Sequence, residues 1–566
     1  MNLITRLKVF VVNHTKTLFS IHDAQLGHLA FKINVEQGAQ FGDVSCNIAM
    51  IVAKFLGQNP RDVANKIVQY VQAQAEAGQL FASIAIAGPG FINMTLTTEA
   101  WTLLMHELYT QKASFFKYGQ HEPKHKYLIE FVSANPTGPL HLGHGRGGII
   151  GDVLARVLSF LGHAVSKEFY INDAGNQIKL LGQSLRVRCL QQLGQSAVLP
   201  EEGYAGEYLV DMAKDCVAVY GDAIQGKSDQ FFELFAKEQL LQLIKANLAD
   251  YGITFNTWFS EKTLHDSGAI DRVLTLLKEK DLAYEKDGAL WFRSTTFGDD
   301  KDRVVRKSSG ELTYIAADIA YHKDKFDRGY DRLIDVLGHD HHGYVRRLKA
   351  TMEALGFDPE KLQVILYQLV TIKEGGQAVR MSKRAGVFTR LSDVIEEVGP
   401  DVARFFYLNR KSDAALDFDL ETALKKTEEN PVYYIQYAYV RINSLLQKAE
   451  PEGFGEWVAQ LRSGTIEQDY FRDMQQHVSQ DDRALIKKIV SLYDILISIE
   501  QSHQTHLLSY YAWELAQVLH TYYTKNKVID ITQPEISKVR LLILLLVHQT
   551  LDVSLDLLGL SKPEKM

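Results

Sequence analysis

Three cysteines in 566 residues, Cys46, Cys189 and Cys216, stand at no paired spacing, which supports neither a disulfide framework nor a cysteine zinc site. So few thiols suit a reducing compartment, and cytoplasm is the default expectation. Long apolar runs are also missing. No stretch reaches the ~18 residues that a membrane span needs, and the most apolar run, Leu541–Val547, lies within an amphipathic helical pattern, so no membrane partner is expected. The first twenty residues contain Arg6, Lys8 and Lys16 and no acid, a weak hint of a transit segment, but Val9–Val12 is far too short for a signal core. A basic surplus is absent too: 62 Lys and Arg against 69 Asp and Glu give a net charge of −7, which argues mildly against nucleic acid. Net charge is not distribution, however. Basic clusters at Lys301–Lys307, Arg346-Arg347-Lys349 and Lys373–Arg390 leave room for an RNA-facing surface.

What is present is an ordinary folded composition, 46% hydrophobic, and a mass of 64.0 kDa, too large for one core. The organising stretch runs from Tyr127 to Gln177. Tyr127–Phe131 reads as a short apolar strand that ends in the turn formers Asn135, Pro136, Thr137, Gly138 and Pro139. Ile150, Val153, Leu154, Val157, Leu158 and Leu161 then recur at helical spacing up to a capping Gly162, and Ala164–Ile171 reads as a second strand. Strand, helix and strand at this spacing predict a parallel βαβ unit, whose ligands bind at the strands' carboxyl ends. His141-Leu142-Gly143-His144 falls at that end. Two imidazoles three residues apart in a first helical turn share a face, Gly143 allows close approach to the backbone, and the helix N-terminus favours an anion. Taken bare, such a histidine pair is equally a metal-binding or capping pattern.

The flanks decide between these readings. Ser133-Ala134-Asn135-Pro136-Thr137-Gly138-Pro139-Leu140-His141-Leu142-Gly143-His144-Gly145-Arg146 resembles the signature of class I aminoacyl-tRNA synthetases in the arginyl form, and Tyr170-Ile171-Asn172-Asp173-Ala174-Gly175-Asn176-Gln177 resembles an arginyl-specific segment. The resemblance, of bacterial flavour, covers nearly the whole chain. It implies an α/β architecture in which residues 1–115 form an N-terminal α+β additional domain that meets the tRNA elbow. Residues 116–398 would form a Rossmann-like catalytic domain with a helical insertion at about 178–250, and residues 399–566 an all-α anticodon-binding bundle.

Within the N-terminal part, Ile48–Leu56 and Val63–Ala75 have helical periodicity, and Ser83–Ala87 and Phe91–Thr97 read as strands joined by a tight turn at Gly88-Pro89-Gly90. Beyond the insertion, which contains Tyr204-Ala205-Gly206-Glu207-Tyr208, runs at Trp291–Arg293, Val304–Arg306, Glu311–Asp318 and Arg332–Leu337 read as strand-like, with a helix opening at Asp318. Gly338-His339-Asp340-His341-His342 invites a metal, but consecutive loop residues rarely converge on one ion. The resemblance instead puts Asp340 and His342 beside the adenylate pocket. Recognition of a guanidinium calls for planar carboxylate acceptors. Glu130 and Asp318 are the candidates, and by resemblance Glu130, Ser133, Asn135, Tyr314, Asp318 and Gln368 contact arginine.

Val364–Ile372 reads as a strand followed by a turn, after which Arg380-Met381-Ser382-Lys383-Arg384-Ala385-Gly386 resembles the mobile lysine loop of the class, with Arg380 in place of its first lysine. By resemblance His141, His144 and Lys383 are catalytic, and Pro139, Leu140, Leu142, Gly143, Gly145, Met381, Ser382 and Arg384 hold the nucleotide. From about residue 400 the pattern is helical: Asp401–Tyr407, then Asn430–Ala438, Ala484–Ile499, Leu507–Tyr523 and Ser537–Leu558. Tyr510, Tyr511, Trp513, Tyr522 and Tyr523 are either core residues or stacking platforms for bases. Tyr434, Gln436, Tyr437 and Arg441 are expected near RNA.

The implied reaction joins L-arginine to tRNA(Arg) through an arginyl-adenylate, with ATP as substrate, Mg2+ on its phosphates and no zinc, in a cytoplasmic monomer. Two other classes remain as alternatives. A nucleotidylyltransferase shares the histidine motif but would lack the helical C-terminal domain, and a regulatory homologue would be expected to have lost His141, His144 or Lys383.

Overall fold

The computed structural model describes residues 2–27, 29–35, 41–119, 124–378 and 390–566. Its centre is a five-stranded sheet, all parallel, ordered Leu362–Tyr367, Arg332–Gly338, Lys126–Phe131, Ala164–Ile171 and Thr257–Ser260. The chain begins in the middle strand, Lys126–Phe131, whose last five residues are buried, as a strand covered on both faces requires. It crosses over through the helix Leu142–Leu161 to Ala164–Ile171, builds outward to Thr257–Ser260, and then returns to the other side at Arg332–Gly338. The direction of build therefore reverses between Lys126–Phe131 and Arg332–Gly338. A cleft opens there at the strands' carboxyl ends.

The predicted βαβ unit stands as read. Its helix stops where Gly162, at φ 106°, adopts a left-handed conformation and its N–H bonds back to the Leu158 carbonyl. Between the second and third strands lie three helices, Asn176–Gln192, Glu207–Tyr220 and Asp229–Asp250, packed on their own apolar core of Leu181, Leu185, Leu209, Phe232 and Leu240.

Two strand readings fail. Glu311–Asp318 is not strand-like: the helix Tyr314–Asp327 starts inside it, capped by the extended Thr313. Tyr314, Ile315 and Thr313 favour a strand locally, but burial of Ile315, Ala316, Ile319 and Ala320 together needs a helical face, and packing overrides propensity. Val364–Ile372 is likewise two strands. Leu362–Tyr367 closes the parallel sheet, whereas Val370–Glu374 belongs to a separate three-stranded sheet with Gln377–Ala378 and Leu416–Asp419. The break falls at Gln368-Leu369, where the Gln368 N–H bonds to Ser412 instead of to a ladder.

The N-terminal region pairs a four-stranded antiparallel sheet with the helices Leu3–Phe19, Ile48–Leu56, Pro60–Gln72 and Thr98–Gln111. The expected hairpin is present, with Ala87 paired to Phe91 across the glycine turn. The basic first helix buries Leu3, Ile4, Leu7, Phe10 and Val11, so its apolar residues serve the fold.

From Pro400 onward the chain is almost wholly helical. Pro534–Leu558 has the length and apolar composition of a membrane span, yet 78% of its most apolar window is buried against neighbouring helices, as expected of a core helix. One apolar core runs without a break from Leu3 to Leu560 and ties the N-terminal, central and C-terminal regions together.

Candidate active site

The first catalytic strand ends in unusual backbone. Val132 and Ser133 both have positive φ, 69° and 41°, and the Ser133 N–H bonds to the Phe131 carbonyl in a γ-turn. A β-branched residue in that region is strained by roughly 1–3 kcal/mol, and the surrounding bonds hold it. The Ser133 hydroxyl donates to Glu130 Oε1 at 2.8 Å and accepts the Tyr170 N–H at 3.1 Å, tying the turn to the neighbouring strand.

Eight residues later, His141 caps the helix Leu142–Leu161. Its Nδ1 accepts the Gly143 N–H at 3.1 Å, and His144 Nδ1 accepts the His141 N–H at 3.2 Å. A backbone N–H can only donate, so both δ nitrogens are acceptors and each neutral ring carries its proton on Nε2. The rings stack at 3.7 Å. Burial, reinforced by the His141 imidazole, pulls His144 down to about 3, and burial lowers His141 as well. Both are neutral at pH 7, each with an Nε2–H donor that meets no partner among the described residues, beside the helix N-terminus. Gly143 gives the capping ring room: a Cβ there would sit 3.0 Å from the His141 ring, which would have to give by a few tenths of an ångström. At Gly145 a Cβ would meet Leu391 at 2.5 Å, so this glycine faces packed side chains, and Leu140 is also buried. The Leu140 carbonyl accepts the Leu391 N–H at 2.8 Å, and Arg390 bridges to His141. Of the other nucleotide-site expectations, Pro139 and Leu142 are half-buried at the helix entry. Lys383, Met381, Ser382 and Arg384 lie outside the described residues.

A cleft of about 540 Å³ opens beside the histidines. It is lined by eight of the expected residues, Glu130, Ser133, Asn135, His141, His144, Tyr314, Asp318 and Asp340. Two expected residues stand apart. His342 bonds through Nδ1 to the His339 carbonyl and is not in the lining, where His341 takes its place; the short helix His339–His341 turns the later side chain away. Gln368 sits at the break between two sheets, and its carbonyl accepts from Arg146. Arg146, wholly buried, donates there and to the Ala414 and Lys411 carbonyls, stapling the helix start to both segments.

The cleft floor is acidic. Lys325, fully buried, bonds to Glu130 and, at 2.7 Å, to Asp335, which also takes His322 at 2.9 Å. Asp318 accepts from the Tyr344 hydroxyl, and among the described residues no cation lies within bonding distance of it. Burial raises its pKa to about 6, with Glu261 and Glu130 pushing the same way. Burial also raises Glu261, a wall residue that the sequence reading missed, although the Tyr170 hydroxyl and His265 lean the other way. Of the five carboxylates in the lining, Glu130, Glu261, Asp318, Asp335 and Asp340, the buried Lys325 ammonium bonds two, Glu130 and Asp335, while Asp335 also meets His322 and Glu261 lies 3.5 Å from His265. A site with such an excess of negative charge is poised for a cation. Glu261 follows the four-residue strand Thr257–Ser260, too short to signal itself in sequence.

On the helical C-terminal region, Tyr437 is partly exposed and stacks on His520 at 5.7 Å, Tyr434 tilts against the same ring at 4.5 Å, and the Arg441 guanidinium lies 4.2 Å from the Tyr523 ring centre. Arg441 also donates to the Tyr437 hydroxyl at 2.5 Å. Gln436 does not join this face; its amide bonds to Asp401 and Ser561 because neighbouring helical positions point about 100° apart. Tyr511 and Tyr522 are core residues, their hydroxyls bonded to the Lys488 carbonyl and to Asp482.

Comparison with known proteins agrees with this geometry. The family model described as tRNA synthetases class I (R), catalytic domain, matches residues 105–447, the DALR anticodon binding domain matches 435–566, and the arginyl tRNA synthetase N terminal domain matches 15–96. An Arginine--tRNA ligase of Syntrophotalea carbinolica is 41% identical over 99% of this chain and 100% of its own, and one of Lawsonia intracellularis is 43% identical over 94% and 95%. The arginyl-tRNA synthetase of Thermus thermophilus, only 20% identical, shares the fold over 100% of both chains with a TM-score of 0.75. With its catalytic-domain match covering more than half the sequence and its relatives matching end to end, the chain belongs to the class I arginyl-tRNA synthetase family.

Proposed function

We propose that the protein joins L-arginine to tRNA(Arg), using ATP and forming an arginyl-adenylate. The observation that carries this reading is a cleft with a cation-seeking floor next to a helix N-terminus bearing two neutral histidine donors. Arginine's guanidinium would lie against Asp318 and Glu261, neither of which pairs with a lysine or arginine among the described residues. Its α-ammonium would face Glu130, Ser133 and Asn135, on the segment leading to His141. The arginine carboxylate then sits closest to the histidines, attacks the α-phosphorus of ATP in line, and releases pyrophosphate. His141 and His144 donate through Nε2–H to the phosphate oxygens as charge builds there.

The neutral state of the histidines matters in this step, since each must give a hydrogen bond without a proton equilibrium of its own near pH 7. Lys383 and Arg384, on the segment whose downstream end is tied to Leu140 and His141, supply positive charge to the leaving pyrophosphate. Magnesium would travel with the nucleotide, since Mg2+ characteristically takes substrate phosphates and water. The adenylate then passes its arginyl group to the terminal adenosine 2′-hydroxyl of the tRNA, as the class I mechanism implies.

We place the main divisions at about residues 115 and 398. For RNA we assign Tyr434, Tyr437 and Arg441, joined by Tyr523 and His520, a face of stackable rings and one guanidinium suited to unstacked anticodon bases. Three free, buried cysteines fit a monomer kept in the reducing cytoplasm. The test is arginine-dependent ATP–pyrophosphate exchange measured with and without tRNA. Exchange specific for arginine supports the assignment; exchange with another amino acid would overturn the substrate.

A further inference from the structure

The turn Asn135–Pro139 carries Asn135 into the cleft and leads within two residues to His141, yet it has few restraints of its own beyond the Thr137 N–H bonded to the Asn135 carbonyl at 2.8 Å. Its remaining anchor comes from the helical insertion. Tyr208, on the first turn of the helix Glu207–Tyr220, reaches across 71 positions in sequence and donates its hydroxyl to the Thr137 carbonyl at 2.5 Å. The ring packs against the insertion's own core on one side, and a Cβ at Gly138 would lie 3.7 Å from the hydroxyl on the other. Burial raises the phenol to about 12, so the hydroxyl remains a donor at any working pH. Gly206 makes the ring's position possible: a Cβ there would come within 2.4 Å of it. Gly206 and Tyr208, both in the segment Tyr204–Tyr208 of the insertion, thus act together. Lys237, on the insertion's last helix, adds a second tie at 3.2 Å to Asp173, which also receives Ser260 and the Lys262 N–H.

We propose that Tyr208 is a positioning residue for adenylate formation: by holding the Thr137 carbonyl it fixes the turn that sets His141, so that docking of the insertion determines catalytic geometry. It touches none of the reacting atoms. This rests on the activity proposed above. Its signature is a split between turnover and arginine affinity, because the acidic floor that binds the guanidinium is built on other elements, whereas a small displacement at the histidine end lowers the rate steeply.

The experiment is ATP–pyrophosphate exchange on the full chain with arginine and tRNA, beside arginine binding by calorimetry and thermal unfolding, for Tyr208→Phe, Gly206→Ala and the neighbouring control Tyr204→Phe. We expect Tyr208→Phe to lower kcat by about tenfold or more, with arginine affinity changed less than about threefold, unaltered Tm and a control like wild type, and Gly206→Ala, whose Cβ must displace the ring, to lose kcat similarly with arginine affinity as little changed but a lower Tm. A Tyr208→Phe kcat within about twofold of wild type would overturn the proposal. So would a Tyr208→Phe loss matched by equal losses of arginine affinity or by a lower Tm. Absence of arginine-dependent exchange in the wild type is a distinct outcome, which overturns the underlying activity and this inference with it.

Discussion

On one side of the cleft stand the carboxylates Glu130, Glu261, Asp318 and Asp335, of which the Lys325 ammonium bonds only Glu130 and Asp335, whereas on the other His141, His144 and a helix N-terminus offer N–H donors and no formal charge. The two sides solve opposite problems. A pocket for a cation is made by withholding counter-charges, and the cost shows in carboxyl groups whose ionisation burial resists. A site for a polyphosphate is made instead from fixed dipoles, which need not be neutralised when the ligand is absent. The acidic wall is therefore sensitive to pH in its empty state, and the donor wall is not.

The largest expected effect breaks the donor wall. His144→Ala should lower kcat for pyrophosphate exchange by about 10²–10³-fold, the usual loss for a donor to developing charge, while arginine binding measured by calorimetry stays near that of wild type. An equal loss in both would mean that the walls are not separable. Next in size, Asp318→Asn should weaken arginine about a hundredfold, within the 2–5 kcal/mol characteristic of a truncated buried charge pair, with ATP affinity unchanged.

A third measurement sharpens the comparison through pH. Asp318 has its pKa raised to about 6, above the ordinary carboxylate value, and the guanidinium binds its ionised form. Affinity for arginine is then complete above pH 6 and falls by up to about tenfold per unit below it. The same raised value means that the ionised carboxylate costs the empty fold stability above pH 6, a cost relieved as protonation proceeds. His144, held near 3, contributes no step between pH 5 and 8. A histidine-like inflection in kcat that disappears in the His144→Ala variant would contradict its neutral, Nε2-protonated state.

The smallest effect lies outside both walls. Tyr437→Ala should raise the KM for tRNA about fivefold or more, the value of a lost base-stacking ring, and leave exchange at saturating tRNA intact.

Much of the donor wall was legible in the sequence because its geometry is local. A glycine between two histidines and a 3.6-residue apolar repeat fix the helix start within a few residues, and the resemblance of the flanking residues, also local, singled out His141 and His144. The acidic wall was only partly legible. Glu130 and Asp318 stood out by resemblance, but Glu261 follows a strand of four residues in another part of the chain, and only the sheet order brings it to Asp318. The misread stretches have the same cause. Glu311–Asp318 has residues that suit a strand, and a helix forms because its burial partners come from elsewhere; His342 and Gln368 were one short helix and one sheet break from the wall.

The sequence by itself determined the elements whose signals lie within a turn or two of the residue concerned: the βαβ unit with its glycine cap, the glycine hairpin, the long C-terminal helices and the histidine pair. Tertiary structure alone decided which charges were neutralised. Lys325 is nearly two hundred residues from Glu130 but only ten from Asp335, and its position under both leaves Asp318 without a bonded cation among the described residues. It likewise decided that Tyr208 belongs to the turn at Thr137, since a hydroxyl's partner depends on how an insertion docks. Periodicity and capping act along the chain, whereas the energy of a buried charge depends on every group around it, whatever its place in the sequence.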